Sequence, residues 1–151
     1  MKKLFHALRL CLKYHWNQRG KAGERAVYHP LRVAWNVWRN TDNLPLPCTK
    51  IDLVCIALMH DTIEDFGEYA SQEILNECGF RVWKTCYGLD KTEFKTYEKY
   101  IESISENPSA RFVKWYDIKD NLKKDRQKNI KSEKIDKYFL ALREFRKTIF
   151  V

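Results

Sequence analysis

Ile56-Ala57-Leu58-Met59-His60-Asp61-Thr62-Ile63-Glu64-Asp65-Phe66 starts as an apolar run and ends with four titratable side chains in six positions. Ionisable groups closing an apolar helix are costly unless a metal, a substrate or mutual hydrogen bonds engage them. Thr49 is an expected N-cap for a helix running from Lys50 to His60 or a little beyond. Continued through Asp65, that helix would stack His60 on Glu64 and Asp61 on Asp65, one turn apart. His60 and Asp61 would lie about 100° apart around the axis, so both could lean towards one ion. The stretch is therefore the expected catalytic centre.

On either side of it the periodicity is helical, with few Gly or Pro and no convincing alternation at period two. Leu4, Leu8, Cys11 and Leu12 mark a first helix ending near Trp16. A polar, cationic loop follows, Asn17-Gln18-Arg19-Gly20-Lys21-Ala22-Gly23-Glu24-Arg25. His29-Pro30 opens a second helix with Val33, Ala34, Val37 and Trp38 as its apolar face, Pro30 sitting where its missing N–H costs nothing. Asn40 to Pro47 reads as a turn-rich connection. Ser71 is an expected cap for a short helix (Ile74, Leu75) that stops at Gly79, and another runs from Arg81 to Tyr87, ending at Gly88. Thr92 to Ser105 reads as a helix with Phe94, Tyr97 and Ile101 inward. Asn107-Pro108 breaks it and starts the helix bearing Phe112, Val113, Tyr116 and Leu122. A final helix spans Ser132 to about Thr148, with Ile135, Phe139, Leu142 and Phe145 as its stripe. The expected architecture is all-α, a single compact helical bundle occupying residues 1–151.

Length and a hydrophobic content of 44% suit one folded domain with a real core. No apolar run is long enough to span a bilayer, and the apolar start is broken at Arg9 and Lys13, unlike a signal peptide. A cytoplasmic, non-membrane protein is expected. Cys11, Cys48, Cys55, Cys78 and Cys86 form no C-x-x-C pair and no zinc-like spacing, so they read as core fillers in a reducing compartment. The net charge of +8 divides into +7 over residues 1–32, −6 over 33–110, +5 over 111–131 and +2 over the remainder. An acidic middle between basic ends suits an anionic ligand drawn to a metal centre, and equally suits nucleic acid.

Two more groups would complete a shell around His60 and Asp61. His29, at a helix start, and Asp117, inside an otherwise apolar helix, are the candidates. Two imidazoles and two carboxylates without thiolate suit Mn²⁺, Fe²⁺, Zn²⁺ or another divalent ion.

These residues, in the order H…HD…D, resemble the HD-domain metal-dependent phosphohydrolases. The likeness is greatest to the hydrolase domain of RelA/SpoT-type alarmone enzymes and their small stand-alone relatives. His15-x-x-Gln18-x-x-Lys21-Ala22-Gly23-Glu24, His29-Pro30-Leu31-Arg32-Val33-Ala34, Ala57-Leu58-Met59-His60-Asp61-Thr62-Ile63-Glu64-Asp65 and Val113-Lys114-x-x-Asp117-x-x-x-Asn121-Leu122 resemble that family's motifs in order, over roughly residues 5 to 145. The resemblance implies hydrolysis of the 3′-pyrophosphate of guanosine tetra- or pentaphosphate, with Mn²⁺ the usual ion. It implies that His29, His60, Asp61 and Asp117 hold the metal, and that Glu64 and Asp65 position the attacking water or move its proton. It further implies that Lys21 and loop cations hold phosphates, Asn121 contacts the nucleotide, Tyr138 stacks on the base and Lys134 touches a phosphate. Gly20 stands where the family usually has an arginine, leaving Arg19 or Arg25 to supply that charge. Arg25-Ala26 replaces a common Pro-Tyr, and Trp115-Tyr116 is bulkier than the usual pair. No synthetase-like segment follows, so only degradation is implied.

Plainer readings stand beside these. His6 and His15 read as structural, His15 as a loop anchor. Tyr138 lies just off the core stripe and suits packing as well as stacking. Lys123-Lys124-Asp125-Arg126-Gln127-Lys128 reads as a solvated rim, and the tryptophans as core or interface. Two alternative functions remain: an HD-type hydrolase of a nucleoside monophosphate or 3′-phosphorylated nucleotide, and a basic module binding nucleic acid or protein. The intact Glu64-Asp65 pair argues against the second. Oligomeric state is left open.

Overall fold

The computed structural model describes residues 1–42 and 44–149, of which 148 and 149 by backbone alone. Asn43, in the expected connection between the second and third helices, lies outside them. Among the described residues the elements are α1 (Lys2–His15), α2 (Tyr28–Asn40), α3 (Lys50–Met59), α4 (Thr62–Cys78), α5 (Phe80–Leu89), a 3₁₀ turn (Lys91–Glu93), α6 (Tyr97–Glu106), α7 (Pro108–Asn121), α8 (Lys124–Gln127) and α9 (Ser132–Ile149). The fold is all-α.

At the centre is α3, buried continuously from Asp52 to Met59. It starts at Thr49, whose hydroxyl accepts the Asp52 N–H at 3.1 Å. α1, α2, α5, α7 and the start of α4 pack around it, which explains why its sequence is apolar on every side rather than on one stripe. α7 is nucleated by Asn107, whose side-chain oxygen accepts from the N–H groups of Ser109 and Ala110, both at 3.1 Å, with Pro108 at the first helical position. α9 closes the bundle over α7 and α6.

Several expectations are corrected. The third helix does not continue through Asp65. It ends at Met59, and Asp61, at φ −101° and ψ −4°, is the N-cap of a new helix. That helix runs on past Ser71, bent only at Gly67, where φ is +69°. Ser71 is therefore no cap; buried in mid-helix, it accepts the Trp83 indole N–H at 2.8 Å. α5 continues through Gly88 to Leu89. The helix expected from Thr92 starts instead at Tyr97, capped by Thr96, and its buried residues are Tyr100 and Ile104, while Phe94, Tyr97 and Ile101 are part-buried.

Two stripes are also turned relative to expectation, and the α2 stripe keeps Val33, Ala34 and Val37 buried but not Trp38. α1 buries Ala7, Leu10, Cys11 and His15 while Leu8 and Leu12 face outward. On α2 Trp38 is exposed beneath the Lys50 ammonium, 4.2 Å from its ring centre. On α9 the buried residues are Tyr138, Ala141 and Phe145, and Phe139 is 56% exposed. The tryptophans are not core: Trp16, Trp35 and Trp38 are exposed, Trp83 and Trp115 part-buried. Cys11, Cys55, Cys78 and Cys86 are buried, free and packed in the core. No helix among the described residues is long and apolar enough to cross a membrane.

Candidate metal centre and its cleft

The break between α3 and α4 has a chemical consequence. Asp61 leaves regular helix geometry directly after His60, which keeps helical dihedrals at φ −59° and ψ −31°, and the two side chains come to face His29 of α2 and Asp117 of α7. One ligand-capable atom from each of His29, His60, Asp61 and Asp117 lies within 4.8 Å of the others. His29 Nε2 is 3.0 Å from Asp117 Oδ1 and 3.8 Å from Asp61 Oδ2, and His60 Nε2 is 3.1 Å from Asp61 Oδ2. His29, His60 and Asp117 are buried, and Asp61 is partly open to the cleft.

Both imidazoles are held from behind. The Nδ1–H of His60 donates to the Ala57 carbonyl at 2.8 Å and that of His29 to Asp120 at 2.7 Å, so each Nε2 faces the common centre. Buried His60 Nε2 has no hydrogen-bond partner, although the Asp61 and Asp117 carboxylates stand 3.1 and 3.4 Å away. A buried nitrogen left this way, facing two carboxylates and a second imidazole, fits a divalent cation. Burial pulls the His60 pKa down, but the adjacent Asp61 and Asp117 carboxylates outweigh it and push it up to about 10. Burial likewise opposes the ionised forms of Asp61 and Asp117, yet His60 holds the first, and Lys114 with both histidines the second, well below the usual carboxylate range.

The cluster forms the floor of a cleft of about 470 Å³. Arg19, Lys21, Asn121, Lys134 and Tyr138 all line it, as do Glu64 and Asp65. Glu64 is part-buried and paired with Lys91. Asp65 is exposed as a residue, but the partial desolvation of its carboxyl on the cleft side and the neighbouring Asp61 and Glu64 carboxylates push it up to about 6. Lys21 donates to Asn121 Oδ1 at 2.6 Å, and the Asn121 amide donates to Asp117 Oδ1, also at 2.6 Å. The loop cation is thus connected to the four-residue cluster through one amide. Arg19 is exposed at the mouth, held by a 3.3 Å bond to the Gly23 carbonyl. Lys134 sits 5.7 Å from the Tyr138 ring centre, and Tyr138, 4% exposed, belongs both to the core and to the cleft wall.

His15 bridges Gln18 and Thr62, each at 3.1 Å, and burial lowers its pKa, so it is a neutral anchor tying the loop to the start of α4. His6 pairs with Glu77 at 2.9 Å, away from the cleft. The loop folds back through a bridge between Arg19 and Arg25, with Gly20 N–H donating to the Glu24 carbonyl at 2.7 Å. A Cβ at Gly20 would stand 2.9 Å from the Glu24 carboxyl carbon. Glu24 in turn is gripped by Arg32 at 3.4 Å and by Arg126.

Sequence reasoning misses Asp120 and Lys91, and gives Lys114 no role beyond its place in the Val113-Lys114-x-x-Asp117 motif. Lys114 is buried, 2.7 Å from Asp117 Oδ2. The signal for it was its place three residues before Asp117 on an apolar helix. Arg126, assigned to a solvated rim, is 4% exposed and lines the cleft.

No protein-family model matches the chain. Superposition on solved structures finds a protein described as a metazoan ortholog of SpoT that hydrolyzes ppGpp and plays a role in starvation responses. The TM-score is 0.75 and the identity 20%, covering 99% of this chain and 86% of that one. The two chains share one all-α fold. In sequence it is 30% identical over 140 residues to guanosine-3′,5′-bis(diphosphate) 3′-pyrophosphohydrolase of Aquifex aeolicus (strain VF5). The match takes in 82% of this chain but only 19% of that protein, so the chain spans about a fifth of its relative. The break after α3 is the place where this chain brings its His-Asp pair to face His29 and Asp117.

Proposed function

We propose that this chain hydrolyses guanosine tetra- or pentaphosphate at the 3′ position, yielding GDP or GTP and pyrophosphate. The observation that carries this reading is the meeting, in one cleft, of the four-residue cluster, the Glu64-Asp65 pair and a rim of cations. The relatives' names agree with it: one is called a 3′-pyrophosphohydrolase of that nucleotide and the other is said to hydrolyse ppGpp. His29, His60, Asp61 and Asp117 would hold one divalent ion, Mn²⁺ in our reading. Such an ion lowers the pKa of water and polarises phosphoryl oxygens.

The chain's own residues supply the rest. Asp65, with its carboxyl near 6, and Glu64 orient the attacking water and take its proton. Lys21 gives up its bond to Asn121 to meet a phosphate, with Arg19 and Lys134 adding charge along the rim. Asn121 contacts the nucleotide, and Tyr138, pinned in the wall, offers a face to guanine. We take residues 1–151 as one catalytic domain working in the cytoplasm.

Gly20 favours keeping a second reading. With no side chain at that position, and Glu24 closing the space a Cβ would fill, the loop offers one cation fewer than the family pattern. A nucleoside monophosphate or another 3′-phosphorylated nucleotide would need less charge. Incubation with Mn²⁺ and a nucleotide panel separates the two. Pyrophosphate released from the tetraphosphate alone supports the first reading, and inorganic phosphate released from monophosphates supports the second. Nucleic-acid binding with a steep salt slope and no turnover would defeat both.

A further inference from the structure

Asp120 sits three residues after Asp117 on α7, with its side chain 1% exposed. It faces away from the cleft but touches one of the four cluster residues directly. Its Oδ2 accepts the His29 Nδ1–H at 2.7 Å. Arg32 donates to both oxygens at 2.9 Å, Lys123 lies 2.6 Å from Oδ1, and Arg126 Nε lies 3.6 Å from Oδ2. One buried carboxylate is therefore surrounded by three side-chain cations and an imidazole.

An imidazole that offers Nε2 to a cation must carry its proton on Nδ1. A carboxylate accepting that proton fixes the tautomer and the ring plane, and increases the electron density Nε2 can donate. The two histidines differ here. His60 leans on the neutral carbonyl of Ala57, whereas His29 leans on a full negative charge. His29 lies in the first turn of α2, whereas His60 directly follows the stretch of α3 buried from Asp52 to Met59. The cations around Asp120 keep its carboxylate fixed: Arg32 grips both oxygens, and Arg32 and Arg126 are themselves braced by Glu24.

We propose that Asp120 is the positioning residue for His29 in the divalent site, holding its ring through Nδ1 so that Nε2 points at the ion. This rests on the metal reading above but not on the choice of nucleotide. The test is Mn²⁺ titration followed by the electron paramagnetic resonance of free Mn²⁺, with no nucleotide present. Asp120→Asn should bind Mn²⁺ about 10- to 100-fold more weakly than the unaltered protein, with its helical circular dichroism retained. In a His29→Ala background the same change should cost nothing further, because the ring it positions is gone. Lys123→Ala, which removes one partner of Asp120 without touching His29, should stay within about twofold.

Unchanged affinity in Asp120→Asn, or an equal loss in both backgrounds, would overturn the proposal. If the variant does not fold, the unaltered protein loaded with Zn²⁺ still decides by imidazole ¹⁵N spectroscopy. His29 should carry its proton on Nδ1 in a strong hydrogen bond, and a proton on Nε2 would refute it. Failure of the unaltered protein to bind Mn²⁺ at millimolar concentration would overturn the metal reading and this inference together. Intact binding without ppGpp turnover would overturn only the nucleotide.

Discussion

His29, His60, Asp61 and Asp117 are placed by helices packed around α3, whereas Arg19, Lys21 and Lys134 are placed by a loop and an exposed helix face. At the first end of the cleft three of the four side chains are buried, and both rings are pinned from behind. At the second, Arg19 is exposed and held by one 3.3 Å bond to the carbonyl of its own loop. Chemistry that needs sub-ångström geometry is assigned to the rigid end, and recognition, which tolerates substitution, to the rim.

If that division is right, the two ends respond differently to mutation. Asp61→Ala would remove one of the four proposed ligands and leave His60 beside one carboxylate fewer. We expect Mn²⁺ binding and hydrolysis both to fall to background, measured by metal titration and pyrophosphate release. Glu64→Gln should keep the metal while kcat drops about 10²- to 10⁴-fold; loss of metal in that variant would move Glu64 into the ligand set.

The rigid end also predicts a pH dependence. In the metal-free protein His60 keeps its proton until about pH 10 because Asp61 and Asp117 outweigh the effect of burial. An incoming ion must displace that proton. Mn²⁺ affinity should therefore rise with pH by about tenfold per unit between about pH 6.5 and 9, with one proton released per ion bound. Calorimetry in buffers of different ionisation enthalpy counts it. A flat affinity across that range would mean His60 is already neutral. At the rim the expected effects are smaller. Lys21→Ala should raise KM about tenfold and change kcat little, and Arg19→Ala should raise KM by about twofold, steady-state kinetics providing the check. A large kcat effect from Lys21→Ala would show that the Lys21–Asn121–Asp117 connection reaches the chemistry, and the division between the ends would fail.

The helices were largely legible because their signals are local: Thr49, Asn107 and Pro108 sit where caps and first turns need them. The errors arose where tertiary contacts decide. Ser71 looks like a cap but serves as the acceptor for Trp83 of α5. Gly88 looks like a terminator but lies inside a helix. Phe139 outranks Tyr138 in hydrophobicity, yet α9 is turned so that Tyr138 is buried and Phe139 exposed. In the cleft, the four residues named for the ion meet in space although the helix expected to carry two of them is broken between them. Asp120 was not legible, because a carboxylate among lysines reads as solvated until His29 and Arg32 are seen to reach it.

Anomalous diffraction at the manganese edge, from crystals of this protein soaked in Mn²⁺, is the sharpest check on the four-residue site. One dominant peak is expected, within bonding distance of His29 Nε2, His60 Nε2, Asp61 and Asp117. No peak there, or a dominant peak elsewhere in the cleft, would contradict it.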